Sequence, residues 1–404
     1  MKNYSFDSSK AFINTFELKP YKQGALDGLT FAVKDNIDVA GFKTSYGSKP
    51  WLASHPKAVS HAVCVEQLLI AGASCVGKTI SDELTHSLDG EGFFYGTPVN
   101  PKAPEHIPGV SSSGSASAVA CGLVDFAIGT DSAGSIRVPA SHCGILGMRP
   151  TINRISESGV LPFAPSSSTV GILANKLTIL EKVMTVLLSS DEKAQRFIDT
   201  IYLLEDAFSL ADQEVKESLQ ITISRLRQIN NIQILPITLS EIIGENVDLL
   251  FWREKIFSSI QCVEMWNSVG SWIEADKPEM GARIKEGMEH HKYFDRSNLN
   301  EALRLKERMF LKMCRFMELG KLVCFPTVPM IAPLKGELDD QEKCMDYYMR
   351  TMNITSFAGV ACLPEITIPV AEVRNIPLGL SLVASTRQDE FLISAAKTLF
   401  PEFL

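Results

Sequence analysis

Apolar and polar residues alternate over residues 29–34, LTFAVK, and the alternation stops at Asp35-Asn36, which predicts a strand ending on a lysine. Residues 59–71, VSHAVCVEQLLIA, space their apolar groups at helical intervals and run into Gly72, a helix with its stop signal. Residues 73–76 read as a short buried strand and 80–88 as a loop or short helix. Residues 92–114 are crowded with Gly, Pro and Ser and predict no regular structure. Small residues dominate 115–123, as suits a helix packed very close to its neighbours. A strand is expected at 126–129 and a loop of Ser, Gly and Ala at 130–139. Residues 176–229 and 240–320 are mainly helical by pattern, the second stretch strongly amphipathic. Strand signals return at 322–325, 363–370 and 378–384. Strands at both ends with helices between predict an α/β fold, one mixed sheet with helical cover. No Pro/Gly-rich linker divides the chain, so residues 1–404 read as one domain. Its parts are 1–175, 176–320 (mainly helical) and the returning strands of 321–404.

Composition narrows the function classes. The 404 residues are 45% hydrophobic and 21% charged, as in a soluble globular protein. The net charge of −8 argues against a broad nucleic-acid footprint. Nine scattered cysteines contain no CxxC and no Cys/His ladder, which speaks against a disulfide scaffold or zinc finger and suits a reducing compartment. No run of about 18 apolar residues predicts a membrane span. The opening MKNYSFDSSKAFINTF lacks an apolar core of the secretory kind. The expected location is cytoplasmic, with no nucleic-acid or membrane partner and room for a homodimer.

One motif misleads. Residues 72–79, GASCVGKT, match the phosphate-loop expression letter for letter. That mechanism needs a strand before the first glycine and a helix at the lysine. Here a helix enters Gly72 and a strand follows, so Gly72 reads as a helix C-terminal residue and Lys78 as a polar residue past the strand.

Two other segments have compositions that packing alone does not explain: PGVSSSGS (108–115) and GTDSAGSIR (129–137). Small residues let backbone N–H groups converge on one point, as a developing oxyanion requires. A serine in such a loop can serve as an acyl-transfer nucleophile, although either loop alone reads equally well as a Ser/Gly surface loop. The chain lacks a GxSxG elbow, and His86, His106 and His142 show no shared logic for a Ser-His-Asp arrangement. A lysine can act as base where burial keeps its amine neutral. Lys34 closes an apolar strand and is the candidate, though on residue physics alone a strand-end lysine is a solvated charge.

These segments together resemble the amidase signature family. The resemblance runs through FAVKDNID (31–38), GKTISDEL (77–84), YGTPVNP (95–101), PGVSSSGSASAVACGLV (108–124) and GTDSAGSIRVPASHCGILGMRPT (129–151). It resumes at FPTVP (325–329), LPEITIPV (363–370) and PLGLSLVA (377–384). Within the family the chain is most similar to the short indole-3-acetamide-hydrolase type. The resemblance implies a sheet covered by helices on both faces and hydrolysis of a small carboxamide to acid and ammonia, with aryl- and indole-acetamides as candidate substrates and no cofactor or metal. It implies Ser135 as nucleophile, Ser111 as bridging serine after a cis Val110–Ser111 peptide, and Lys34 as base. The N–H groups of Ser132, Ala133, Gly134 and Ser135 would form the oxyanion hole. Ser112, Asp131 and Arg137 would support the loops, and Ser135 is expected to be an exposed loop hydroxyl.

Three positions depart from the family pattern. Val110 and Ala133 replace glycines, and Ser168 stands where many relatives have Asp. They motivate a second reading, a degenerate amidase-fold protein that binds a ligand or partner without turnover. Glu289-His290-His291 lacks further ligands at metal spacing and reads as a solvated helix face. The Met/Phe stripe of 309–317 reads as core.

Overall fold

Strand pairing joins the two ends of the chain. The computed structural model describes residues 5–87, 90–188, 197–317 and 320–404. Its strands are β1 (Phe12–Leu18), β2 (Thr30–Lys34), β3 (Ser74–Thr79), β4 (Phe126–Asp131), β5 (Leu146–Arg149) and β6 (Thr169–Ala174), followed by β7 (Thr200–Leu204), β8 (Gln233–Ile237), β9 (Lys321–Pro326), β10 (Glu365–Val373) and β11 (Ile376–Val383). They form one 11-stranded sheet in the order β1-β3-β2-β4-β6-β5-β10-β11-β9-β7-β8. The pairing is mixed: β2 runs parallel to β3 and β4, whereas β5, β6, β10 and β11 pair antiparallel. The expected α/β sheet with helical cover is present. No helix among the described residues is long and apolar enough to cross a membrane.

The six expected strands correspond to β2, β3, β4, β9, β10 and β11. β1, β5, β6, β7 and β8 were not expected. β7 falls inside the stretch expected to be helical, and it is only five residues long, too short for its apolar run to be told from a helix turn. β8 carries Pro236, which an edge strand tolerates. The expected loop over 130–139 is also corrected: β4 continues to Asp131, and a helix spans Arg137–Cys143.

Alternation along β2 and β4 sorts their side chains. Phe31, Val33, Phe126 and Ile128 join the largest buried cluster, whereas Ala32 and Ala127 face a cluster of small groups. That second cluster includes Ala116, Ala118 and Val119 of the Ser113–Ala120 helix and Ala140 of the Arg137–Cys143 helix. Small residues bring these helices very close. A Cβ on Gly114 would stand 2.4 Å from the Ala11 carbonyl oxygen. By the same alternation Lys34 falls on the small-residue side of the sheet, beneath those helices.

The phosphate-loop match dissolves in this topology. Gly72 takes φ +104° two residues after the Val63–Ile70 helix, and Lys78 lies within β3 rather than past it. Its ammonium is buried, 2.6 Å from Asp35 Oδ1 and 2.7 Å from Thr44 Oγ1. Lys78 is a structural ion-pair partner. Replacing it (Lys78→Met) leaves the Asp35 carboxylate buried without its cation and is expected to cost roughly 3–5 kcal/mol in urea unfolding. ATP with magnesium is expected to leave the melting temperature of the unaltered protein unchanged.

Candidate active site

β2 and β4 are parallel neighbours, so their carboxyl ends open on the same edge of the sheet, where ligand sites of such sheets collect. Lys34 ends one strand and Asp131 the other. Lys34 is fully buried, and its Nζ donates to Ser111 Oγ at 2.7 Å and to Thr130 Oγ1 at 3.0 Å. Thr130 Oγ1 also accepts from Asn36 Nδ2 at 3.1 Å. Burial pushes the Lys34 ammonium down to about 7, against the opposing pull of the Asp82 and Asp131 carboxylates. At neutral pH a large share of the amine is therefore unprotonated. The solvated strand-end lysine is excluded.

The Val110–Ser111 peptide is cis. The two serine loops are tied together directly: Ser112 N–H donates to the Ser135 carbonyl at 3.3 Å, and Ser112 Oγ donates to the Thr130 carbonyl at 3.3 Å. Gly129 permits this approach, since a Cβ there would stand 2.6 Å from Ser112 Oγ.

A buried carboxylate shapes the second loop. Asp131 Oδ1 accepts from Gly134 N–H at 3.0 Å and Oδ2 from Ile136 N–H at 2.9 Å. Arg137 grips the same carboxylate through Nε at 3.0 Å and Nη2 at 2.8 Å, and Arg149 reaches it at 3.1 Å. Burial alone would raise its pKa, but the two guanidiniums and the backbone donors hold it well below the usual carboxylate range. Arg137 continues to Glu365 at 2.7 Å and to the Thr355 carbonyl at 2.8 Å. Thr355 Oγ1 donates to the Ala133 carbonyl at 2.7 Å. The loop is thus held from both sides.

Lys34 reaches Ser111, and the two serine loops meet through Ser112 and Ser135, but no hydrogen bond joins Ser111 Oγ to Ser135 Oγ among the described residues; two further expectations are corrected. Ser135 is only 8% exposed, so its hydroxyl lies in a closed site rather than on an open loop. Gly134 N–H is committed to Asp131, whereas no hydrogen bond engages the amides of Ser132, Ala133 and Ser135 among the described residues. Three amides, not four, remain for an oxyanion. The histidines lie apart from these serines in function: His142 Nε2 meets Tyr347 OH at 2.9 Å, His106 meets the Ala332 carbonyl at 2.6 Å and His86 meets His291.

Thr130, Asn36, Arg149, Thr355 and Glu365 went unassigned in the sequence. GMRPT was legible as a motif, but nothing in it pairs Arg149 with Glu365; the β5–β10 register does.

A family model described as Amidase matches residues 6–393. The chain belongs to the amidase family. "Amidase 1" of Arabidopsis thaliana is 34% identical over 96% of this chain and 97% of its own length. "Outer envelope protein 64, chloroplastic" of the same plant is 30% identical over 97% of this chain and 70% of its own length. A solved structure described as "Crystal structure of amidase" shares the fold with a TM-score of 0.83 at 22% identity, over 94% of this chain and 86% of that one. This amidase is accordingly an amide-hydrolysing enzyme.

Beside the Ser132–Ser135 loop of the amidase lies a small cavity whose wall joins Ser166, Ser167 and Lys306 to Phe257, Ile260, Gln261, Gly359 and Val360. A Cβ on Gly359 would stand 3.2 Å from the Ser132 carbonyl oxygen. Met309, Met313 and Met317, from the Met/Phe stripe, pack into a buried cluster with Phe257, Phe357 and Ala133. They are core, as expected, and buttress the cavity wall rather than line it.

Removing the charge on Asp131 (Asp131→Asn) leaves Arg137 and Arg149 buried against Glu365 alone. The variant is expected to lose about 3–5 kcal/mol in denaturant unfolding.

Proposed function

We propose that Ser135 is the nucleophile, Ser111 the bridging serine and Lys34 the base of a hydrolase that cleaves small carboxamides. The carrying observation is the 2.7 Å contact between a buried, readily deprotonated Lys34 and Ser111 Oγ. Neutral Lys34 accepts the proton of Ser111, which accepts that of Ser135. Ser135 Oγ attacks the carbonyl carbon, and the amides of Ser132, Ala133 and Ser135 receive the oxyanion. The proton then returns through Ser111 to the leaving nitrogen, the C–N bond breaks, and ammonia departs from an ester on Ser135. Water attacks that ester by the same relay and releases the carboxylic acid, restoring both serines and the lysine. The proposal of aryl- or indole-acetamides as substrates rests on the sequence resemblance to the short indole-3-acetamide-hydrolase type. We further propose that the chain works as one domain, a reading supported by a sheet that runs unbroken from β1 to β8, and that it does so in the cytoplasm, as its nine cysteines, none of them in a disulfide, favour.

The degenerate reading finds no support at the positions that motivated it. Neither Val110 nor Ala133 takes a positive φ, so neither needs the glycine it replaces. Val110 packs among Ile107, Leu338 and Tyr347. Ser168 Oγ hydrogen-bonds Ser132 Oγ, so the position still braces the loop without a carboxylate.

Ammonia release from a primary-amide panel tests the relay. Ser135→Ala, Ser111→Ala and Lys34→Ala are each expected to lower kcat/KM by about 10³-fold or more, and any pair to cost little more than the worse single change. Losses that multiply would refute a common relay. Burial lowers the Lys34 pKa, so the base is protonated in acid and free above it. kcat/KM is expected to rise through about pH 7 and level off on the alkaline side. A profile flat between about pH 5.5 and 8.5 removes Lys34 as the base.

A further inference from the structure

Away from the serines, the Ser258–Asp276 helix packs on the Ala282–Tyr293 helix, and the turn containing His86 closes over the second of them. Glu289 and His290 lie on a solvated face as expected, and this contact corrects that reading for His291 alone. His291 is 94% buried, and Cys262 arrives from the facing helix. Ligand atoms of Cys262, His290 and His291 all lie within 4.8 Å of one another. Two of these groups are buried, and His290 is exposed at the mouth.

The hydrogen bonding of His291 is half complete. Its Nε2 meets His86 Nε2 at 2.6 Å, and its Nδ1 is buried with no partner among the described residues. In the tautomer of His291 that donates Nε2–H to His86 the lone pair lies on Nδ1, and a buried lone pair without a donor costs roughly 1–3 kcal/mol. A metal ion at Nδ1 satisfies it. His86 then plays the role that outer partners of ligating histidines play elsewhere, fixing the tautomer and the ring orientation. The fold makes room for that partner: a Cβ on Gly287 would stand 2.6 Å from His86 Cε1.

We propose that Cys262, His290 and His291 form a binding site for Zn²⁺, with water as fourth ligand. One thiolate with two imidazoles is a donor set that suits zinc, and three protein ligands leave one tetrahedral position open. Zn–S near 2.3 Å and Zn–N near 2.0 Å put ligand atoms about 3.5 Å apart. Binding therefore draws the three ligand atoms in from the 4.8 Å within which they now lie. Cys262 releases its thiol proton to solvent on binding. The site clamps two helices of the middle of the chain and, through His86, the turn that follows β3; it contains none of the relay residues.

Co²⁺ titration of the metal-free, untagged full chain tests the proposal by absorption. The expected result is saturation at one equivalent, with a sulfur-to-cobalt band in the near ultraviolet and the visible bands of four-coordinate cobalt, both erased by Zn²⁺. Cys262→Ser should lose the near-ultraviolet band. His290→Ala, a change at an exposed side chain that leaves the fold intact, should weaken Co²⁺ at least tenfold. No saturable binding by the unaltered protein, a near-ultraviolet band that survives Cys262→Ser, or undiminished affinity in His290→Ala overturns the site. Should Cys262→Ser fail to fold, the His290→Ala affinity decides alone.

Discussion

The carboxylate of Asp131, fully buried, is the interaction on which the active-site edge depends. Three backbone amides and two guanidiniums converge on it, and Glu365 balances the second positive charge. Four charges sum to zero without solvent, a stable arrangement only when nearly every donor and acceptor is matched. Because the amides of Gly134 and Ile136 belong to the same turn as Ser135, satisfying the carboxylate also dictates the path of the loop that carries Ser135. Its geometry follows from electrostatics in a dry site more than from the flexibility of its small residues.

Lys34 answers the same desolvation differently. It has hydroxyl partners in Ser111 and Thr130 and no carboxylate within ion-pair distance among the described residues, so burial lowers its pKa to about 7. Lys78, one strand away, stays paired with Asp35. Two buried lysines on neighbouring strands thus have opposite characters: one has a carboxylate at contact distance, the other a hydroxyl. The first can only hold the fold together, whereas the second can take up a proton.

The middle of the chain joins the site through packing. The Gln341–Val360 helix escaped the sequence reading because its last turns, from Asn353 to Val360, are buried on every side and carry Thr, Ser and Asn among the apolar groups. A helix without a solvent face has no amphipathic stripe to read. Yet this helix supplies Thr355, which holds both the Ala133 carbonyl and Arg137, and it supplies Gly359 beside the cavity.

What the sequence determined by itself was local. Alternation named β2 and β4, small-residue density named the closely packed helix and the serine loops, and the order of helix and strand around Gly72 was enough to reject nucleotide binding. Such signals survive because they are written in consecutive residues. Only the tertiary structure decided which buried lysine meets a carboxylate, which amides stay unengaged and what neutralises Asp131. The reason is distance along the chain: Ser111 lies 77 residues from Lys34, and Glu365 lies 228 from Arg137. No local pattern encodes a contact made by strand register across the sheet. The charge state of a buried group is set by whatever that register brings within a few ångströms of it.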